Sequence, residues 1–138
     1  MKQLEVRISN QWDEMPVATG MLSRFGASNG LPPPVLHDLH VVLDEALNNI
    51  IAYAYQEGTR GPITVRLEYG KDEIAMVLED RGRPFDPLEA PAPELTAPLR
   101  ARKLGGLGVH FMRSLMDDVA YARVGDVNQL RLTKKMIA

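Results

Sequence analysis

The chain has 138 residues, with 16 basic and 18 acidic side chains and a formal charge of −2. With 45% apolar and 25% charged residues it has ordinary globular composition and a length suited to one domain, which argues against intrinsic disorder; the near-neutral charge argues against a dedicated nucleic-acid binder. The absence of cysteine excludes disulfides, thiolate catalysis and Cys-ligated zinc, and no apolar run approaches the ~20 residues of a membrane span. Met1 to Glu5 carries no apolar stretch of a secretory signal, so a cytoplasmic location is expected.

Leu4, Val6 and Ile8 alternate with Glu5 and Arg7, the period of a half-buried strand. Asn10 is placed to cap a helix over residues 11–28 carrying Trp12, Met15, Leu22 and Phe25, with Pro16 and Gly20 as interruptions. Asn29-Gly30 marks a turn. Pro32-Pro33-Pro34 opens a second helix, where the missing N–H groups cost nothing. Its apolar stripe of Leu36, Leu39, Leu43, Ala46, Leu47, Ile50 and Ala54 runs to about residue 56, and Gly58 and Gly61 end it. A hairpin follows, with Ile63, Val65, Leu67 and Tyr69, a turn at Gly70-Lys71-Asp72, then Ile74, Met76 and Leu78. Residues 83–104 hold five of the ten prolines and no clear period, the texture of a functional loop. Gly105-Gly106-Leu107-Gly108 leads into a helix with Val109, Met112, Leu115 and Met116. Val119, Tyr121 and Arg123 alternate, Gly125-Asp126 turns, and a last strand runs through Leu130, Leu132, Lys134 and Met136. This order predicts an α+β fold in which helices pack on one face of a mixed sheet.

Three places carry chemistry. Glu45 and Asn49 are four apart in the second helix and share a face that flanks the apolar stripe. There the amide oxygen suits Mg²⁺, and the carboxylate suits accepting a proton from a nucleophile. The plainer alternative is a polar flank making local hydrogen bonds. Asp80, at the end of a strand, suits accepting from the amino group of a base, and Gly82 suits close approach of a ligand to the backbone; the alternative is an acidic turn. Gly105-Gly106-Leu107-Gly108 at a helix start suits an anion, or else a hinge after the proline-rich loop.

In their order and spacing these three segments resemble the N, G1 and G2 boxes of the GHKL ATP-binding superfamily, which includes gyrase, histidine kinases and MutL. The short format resembles its RsbW-type anti-sigma-factor serine/threonine kinases. Glu45-Ala46, Asn49 and Tyr55 match that branch's E-A-x-x-N-x-x-x-x-x-Y pattern; Asp80, Gly82, Phe85 and Asp86 match its first glycine box; and Gly105, Gly106, Gly108 and Met116-Asp117-Asp118-Val119 match its second. Asn128 to Lys134 is similar to its last strand. The pattern is not complete, since Tyr53 stands where many members have His and Pro84 where the wider superfamily has a glycine.

The resemblance implies a two-layer α/β sandwich with a largely antiparallel sheet, the Bergerat ATP-binding fold, forming a single domain over residues 1–138 with an ATP lid at about 84–104. It implies ATP and Mg²⁺ as cofactors and Glu45 as general base. Asp80 and Gly82 would lie at the adenine, and Asn49 at the metal. The N–H groups of Gly106, Leu107, Gly108 and Val109 would hold the phosphates, with Phe85, Arg102, Gly105 and Thr133 completing the nucleotide-binding set. It further implies a STAS-domain anti-anti-sigma protein as substrate, a sigma factor as second partner, a homodimer, and no direct contact with nucleic acid or membrane. The alternative is a nucleotide-binding interaction module without kinase activity. A histidine-kinase phosphoacceptor at His37 conflicts with its place in the same helix as Glu45 and Asn49. A small-molecule enzyme has no nucleophile set or metal cluster to support it.

Overall fold

The computed structural model describes residues 2–84, 86 and 112–136. Strand β1 (Lys2–Ser9) passes through a 3-10 turn (Trp12–Glu14) into helix α1 (Met15–Ser28). Helix α2 (Pro33–Asn49) continues as a π-helical turn (Ile50–Ala54). β2 (Pro62–Gly70) and β3 (Glu73–Asp80) form one hairpin, β4 (Asp118–Val124) and β5 (Val127–Lys135) another, and residues 112–115 are helical. The sheet order is β1-β2-β3-β5-β4. Among the described residues every pairing is antiparallel.

The two layers follow from the two apolar periods. Ala18, Met21, Leu22 and Phe25 form the buried stripe of α1, and Leu39, Val42, Leu43, Ala46 and Leu47 that of α2. They meet the alternate residues Ile63, Val65 and Leu67 of β2, Ile74, Met76 and Leu78 of β3, and Leu130 and Leu132 of β5 in one core. The opposite face of the sheet is sealed by charge. Arg66 reaches Glu68 at 2.8 Å, Glu79 at 3.4 Å and Glu5 at 3.6 Å, and Arg131 reaches Glu68 at 3.0 Å. Val77 lies opposite both arginines, at Arg66 and Arg131 in the register, and is only 1% exposed.

Some local expectations are corrected. Asn10 is not a helix cap. Its amide accepts from Gly61 N at 2.9 Å and donates to Thr59 O at 2.7 Å, tying the end of β1 to the entrance of β2. The helix therefore starts later, at Met15, with Pro16 in its tolerant first turn instead of interrupting it. In the first hairpin Gly70 pairs with Glu73, and Lys71 and Asp72, at φ 53 and 60, are the two turn residues. Two positive φ values match the right-handed twist of the strands. The second helix ends near the expected place, but its last turn is π-helical and Tyr55 is already extended.

Candidate functional site

β3 delivers Asp80 at its end, opposite Ile63 on β2 and Asn128 on β5. The side chain is buried. Its Oδ1 accepts from the backbone N–H of Gly82 at 2.9 Å and from the Asn128 amide at 2.9 Å. Its Oδ2 has no partner among the described residues. Burial pushes the Asp80 carboxyl above the usual range, while Asn128, Gly82 and Arg123 pull in the other direction.

α2 brings its own residues to the same place. Asn49, its last α-helical residue, is 5% exposed and lines a cavity of about 20 Å³ together with Asp80, Ala54, Met112 and Tyr121. The volume holds about one water, and Met112, with its unbranched side chain, is an adaptable wall. The Asn49 amide nitrogen is buried and has no hydrogen-bond partner among the described residues. An orphaned buried donor costs about 1–3 kcal/mol. The site therefore fits a bound polar group: an orphaned amide and an open carboxylate oxygen line one otherwise mostly apolar cavity. Glu45, one turn before Asn49, is half-buried and makes no hydrogen bond or ion pair among the described residues. Burial, and then the Asp44 carboxylate beside it, push its pKa up.

The π-helical turn locks these pieces together. The Ala54 carbonyl accepts from Arg83 N at 2.7 Å, and the Tyr53 carbonyl accepts from the Arg83 guanidinium at 2.6 Å. A Cβ on Gly82 would lie 2.2 Å from the Ala54 oxygen. Glycine at this position is thus required by the chain's own backbone, a reason different from the ligand approach expected of it. Tyr55 is a clamp: its hydroxyl accepts from Arg81 N at 2.8 Å and donates to the Pro62 carbonyl. π-Turns concentrate at functional sites, and this one fixes the approach to Asp80.

Asn49, Asp80 and Gly82 are thus brought together, with Glu45 one helical turn from Asn49 and outside the lining of the cavity. Thr133 is not. It pairs with Ala75 and Asp118, five residues along β5 from Asn128, or roughly 17 Å at strand rise. The β5 residue beside Asp80 is Asn128, which the sequence reading missed. The signal was present: Asn128 shares the inward face of Leu130 and Leu132, where a polar residue needs a reason. Phe85, Arg102, Gly105, Gly106, Leu107, Gly108, Val109 and the expected lid at 84–104, apart from Pro84 and Asp86, lie outside the described residues. Among the described residues no cluster of three or more His, Asp or Glu could by itself hold a metal ion, and no helix is long and apolar enough to cross a membrane.

Residues 8–134 match the histidine kinase-like ATPase domain. The serine/threonine-protein kinase BtrW of Bordetella bronchiseptica is 35% identical over 95 residues, covering 69% of this chain and 67% of that one. The serine-protein kinase RsbW of Bacillus subtilis is 26% identical over 122 residues, covering 84% and 75%. Among solved structures, the RsbU and RsbW domains of a Mycobacterium tuberculosis protein superpose with a TM-score of 0.71 at 14% identity, covering 99% of this chain and 33% of that one. The histidine kinase domain of an Erythrobacter litoralis blue-light activated kinase gives 0.60 at 15% identity, covering 88% and 61%. These two likenesses concern the fold. The match across residues 8–134, with relatives of these names, places the chain in the histidine kinase-like ATPase domain family, on its RsbW-type branch.

Proposed function

We propose that this chain is an ATP-dependent serine/threonine protein kinase and anti-sigma factor that phosphorylates a STAS-domain anti-anti-sigma protein in bacterial partner switching. The observation that carries the reading is Glu45, a half-buried carboxylate with a raised pKa and, among the described residues, no cation beside it, one turn from an orphaned amide. Burial and a like-charged neighbour are what raise a carboxylate's pKa toward the working range of a general base. The kinase names of the RsbW and BtrW relatives support the same activity.

In this reading Asp80 Oδ2 accepts from the amino group of adenine. The Asn49 amide oxygen would hold Mg²⁺, a hard cation that takes oxygen ligands and would be completed by substrate oxygens. When bound, the ion neutralises the phosphate charge that develops during transfer. Glu45 takes the proton of the attacking serine or threonine hydroxyl as its oxygen bonds to the γ-phosphorus and ADP leaves. Residues 84–104 close over the nucleotide as a lid, with Gly105, Gly106, Leu107, Gly108, Val109 and Arg102 at the phosphates. The chain acts in the cytoplasm as one domain, as a homodimer, and binds its sigma factor when the antagonist is phosphorylated.

The test is transfer of labelled γ-phosphate to a cognate STAS-domain protein. Wild type should label it, and Glu45→Gln should bind ATP without labelling it. Normal transfer by Glu45→Gln would remove the base assignment. ATP binding without transfer by wild type would leave a nucleotide-binding module.

A further inference from the structure

The groups behind Asp80 form a relay that the nucleotide-binding reading does not use. Asn128 on β5 is 4% exposed, and each of its amide atoms is committed. Its Oδ1 accepts from the Tyr121 hydroxyl and, at 3.1 Å, from the Arg123 guanidinium. Its Nδ2 donates to Asp80 Oδ1 at 2.9 Å and to the Arg83 carbonyl at 2.8 Å. Arg123 also donates to the Gly82 carbonyl at 2.7 Å.

Arg123 fixes the direction of this chain of bonds. A guanidinium donates only, so the oxygen of the Asn128 amide must face it. A flipped amide would turn oxygen toward a carboxylate and a carbonyl, and NH₂ toward a guanidinium. With the amide so directed, Oδ1 of Asp80 receives two donors, Gly82 N–H and Asn128 N–H. The oxygen left open, Oδ2, accepts and cannot donate while the carboxylate is charged.

We infer that Asn128, oriented by Arg123, is a positioning residue that leaves Asp80 one accepting oxygen and so sets a preference for a base with an amino group over one with a keto group. This deepens the ATP-binding reading and rests on it. A keto oxygen at the same position meets Oδ2 acceptor to acceptor. Without the Asn128 donor, the Asp80 carboxyl is less anchored and less compensated in its buried site. It can then rotate or take up a proton and meet a keto group as donor, and the discrimination falls.

The experiment measures Mg-ATP and Mg-ITP dissociation constants by calorimetric titration of the full chain. The two nucleotides differ at the amino or keto position of the purine. Wild type should prefer ATP at least tenfold. Asn128→Leu and Arg123→Met should each cut that ratio at least fivefold, chiefly by weakening ATP, while Arg123→Lys, which keeps a cationic donor, should retain most of it. Thermal unfolding of each variant establishes that it is folded, and the two arginine variants provide the test if Asn128→Leu is not. An unchanged ratio in folded variants, or equal weakening of both nucleotides, overturns the proposal. Failure of wild type to bind either nucleotide overturns the ATP reading itself, and this inference with it.

Discussion

Glu45 combines two properties that a stability argument alone does not reconcile. Its carboxyl is pushed up by burial and by Asp44, so the folded state holds the proton more tightly than the unfolded chain does. At neutral pH the charged form therefore subtracts from stability, and stability gains as pH falls through the raised pKa. Glu45→Gln is expected to unfold at a temperature equal to or above wild type at neutral pH while losing phosphoryl transfer, which calorimetry and a transfer assay read separately. A clear loss of stability would mark Glu45 as structural. The base must be unprotonated, so single-turnover transfer should fall on the acid side. Asp44→Asn removes the repelling charge, lowers the Glu45 pKa and should move that acid limb to lower pH. Gly82 belongs at the same scale. With the Ala54 oxygen only 2.2 Å from where a Cβ on residue 82 would stand, Gly82→Ala should destabilise by about 1–3 kcal/mol in urea unfolding. An unaltered midpoint would show that the α2 end and the Asp80 turn give way easily.

Elements explain how one sheet serves two faces. The helix side is apolar, and its alternation sets the register of each strand. The other side is a charged ladder across β1, β2, β3 and β5, with Arg66 among Glu5, Glu68 and Glu79. The hydrogen bond from Arg66 holds the Glu68 carboxyl below its ordinary value, with Arg131 adding to it. A depressed carboxylate contributes stability that is present above its unfolded pKa and lost as pH falls through the folded one. The side chains are partly exposed, so the contribution is under about 1 kcal/mol per pair. Glu68→Gln should lower stability modestly at neutral pH, by less in high salt, and should flatten the loss on acidification. Urea titrations at neutral and acidic pH check this, and an identical acid slope in the variant would mean the ladder is only a solvated face. The π-helical turn is the other element with a specific task, since its carbonyls hold the Arg83 backbone and side chain.

At the scale of the molecule, the cavity lies where α2 meets the ends of β3 and β5, so a ligand there bridges both layers. Binding to the folded state alone stabilises it by about 2.7 kcal/mol at 100 times the dissociation constant. For a chain of 138 residues this is a rise of several degrees in the unfolding midpoint. Mg-ATP should produce that rise in wild type and not in Asn49→Ala. No rise in wild type at saturating nucleotide would count against the nucleotide site, and an equal rise in Asn49→Ala would remove Asn49 from it.

The helical and alternating apolar periods determined which elements form and which face of each is buried, because burial acts through spacings of 3.6 and 2 that are visible in the chain itself. The ordered boxes around Glu45, Asn49 and Asp80 were legible for the same reason, being local in sequence. What tertiary structure decided was everything that depends on neighbours across strands. Asn10 has a capping residue's chemistry, yet Gly61 and Thr59, about fifty positions away, take its hydrogen bonds. Gly82 is a glycine because of Ala54, and Tyr55 is a clamp because Arg81 and Pro62 meet it. Thr133 and Asn128 lie on one strand, and only the register says that Asn128 stands beside Asp80. Register is a property of paired strands, so no single stretch of sequence contains it.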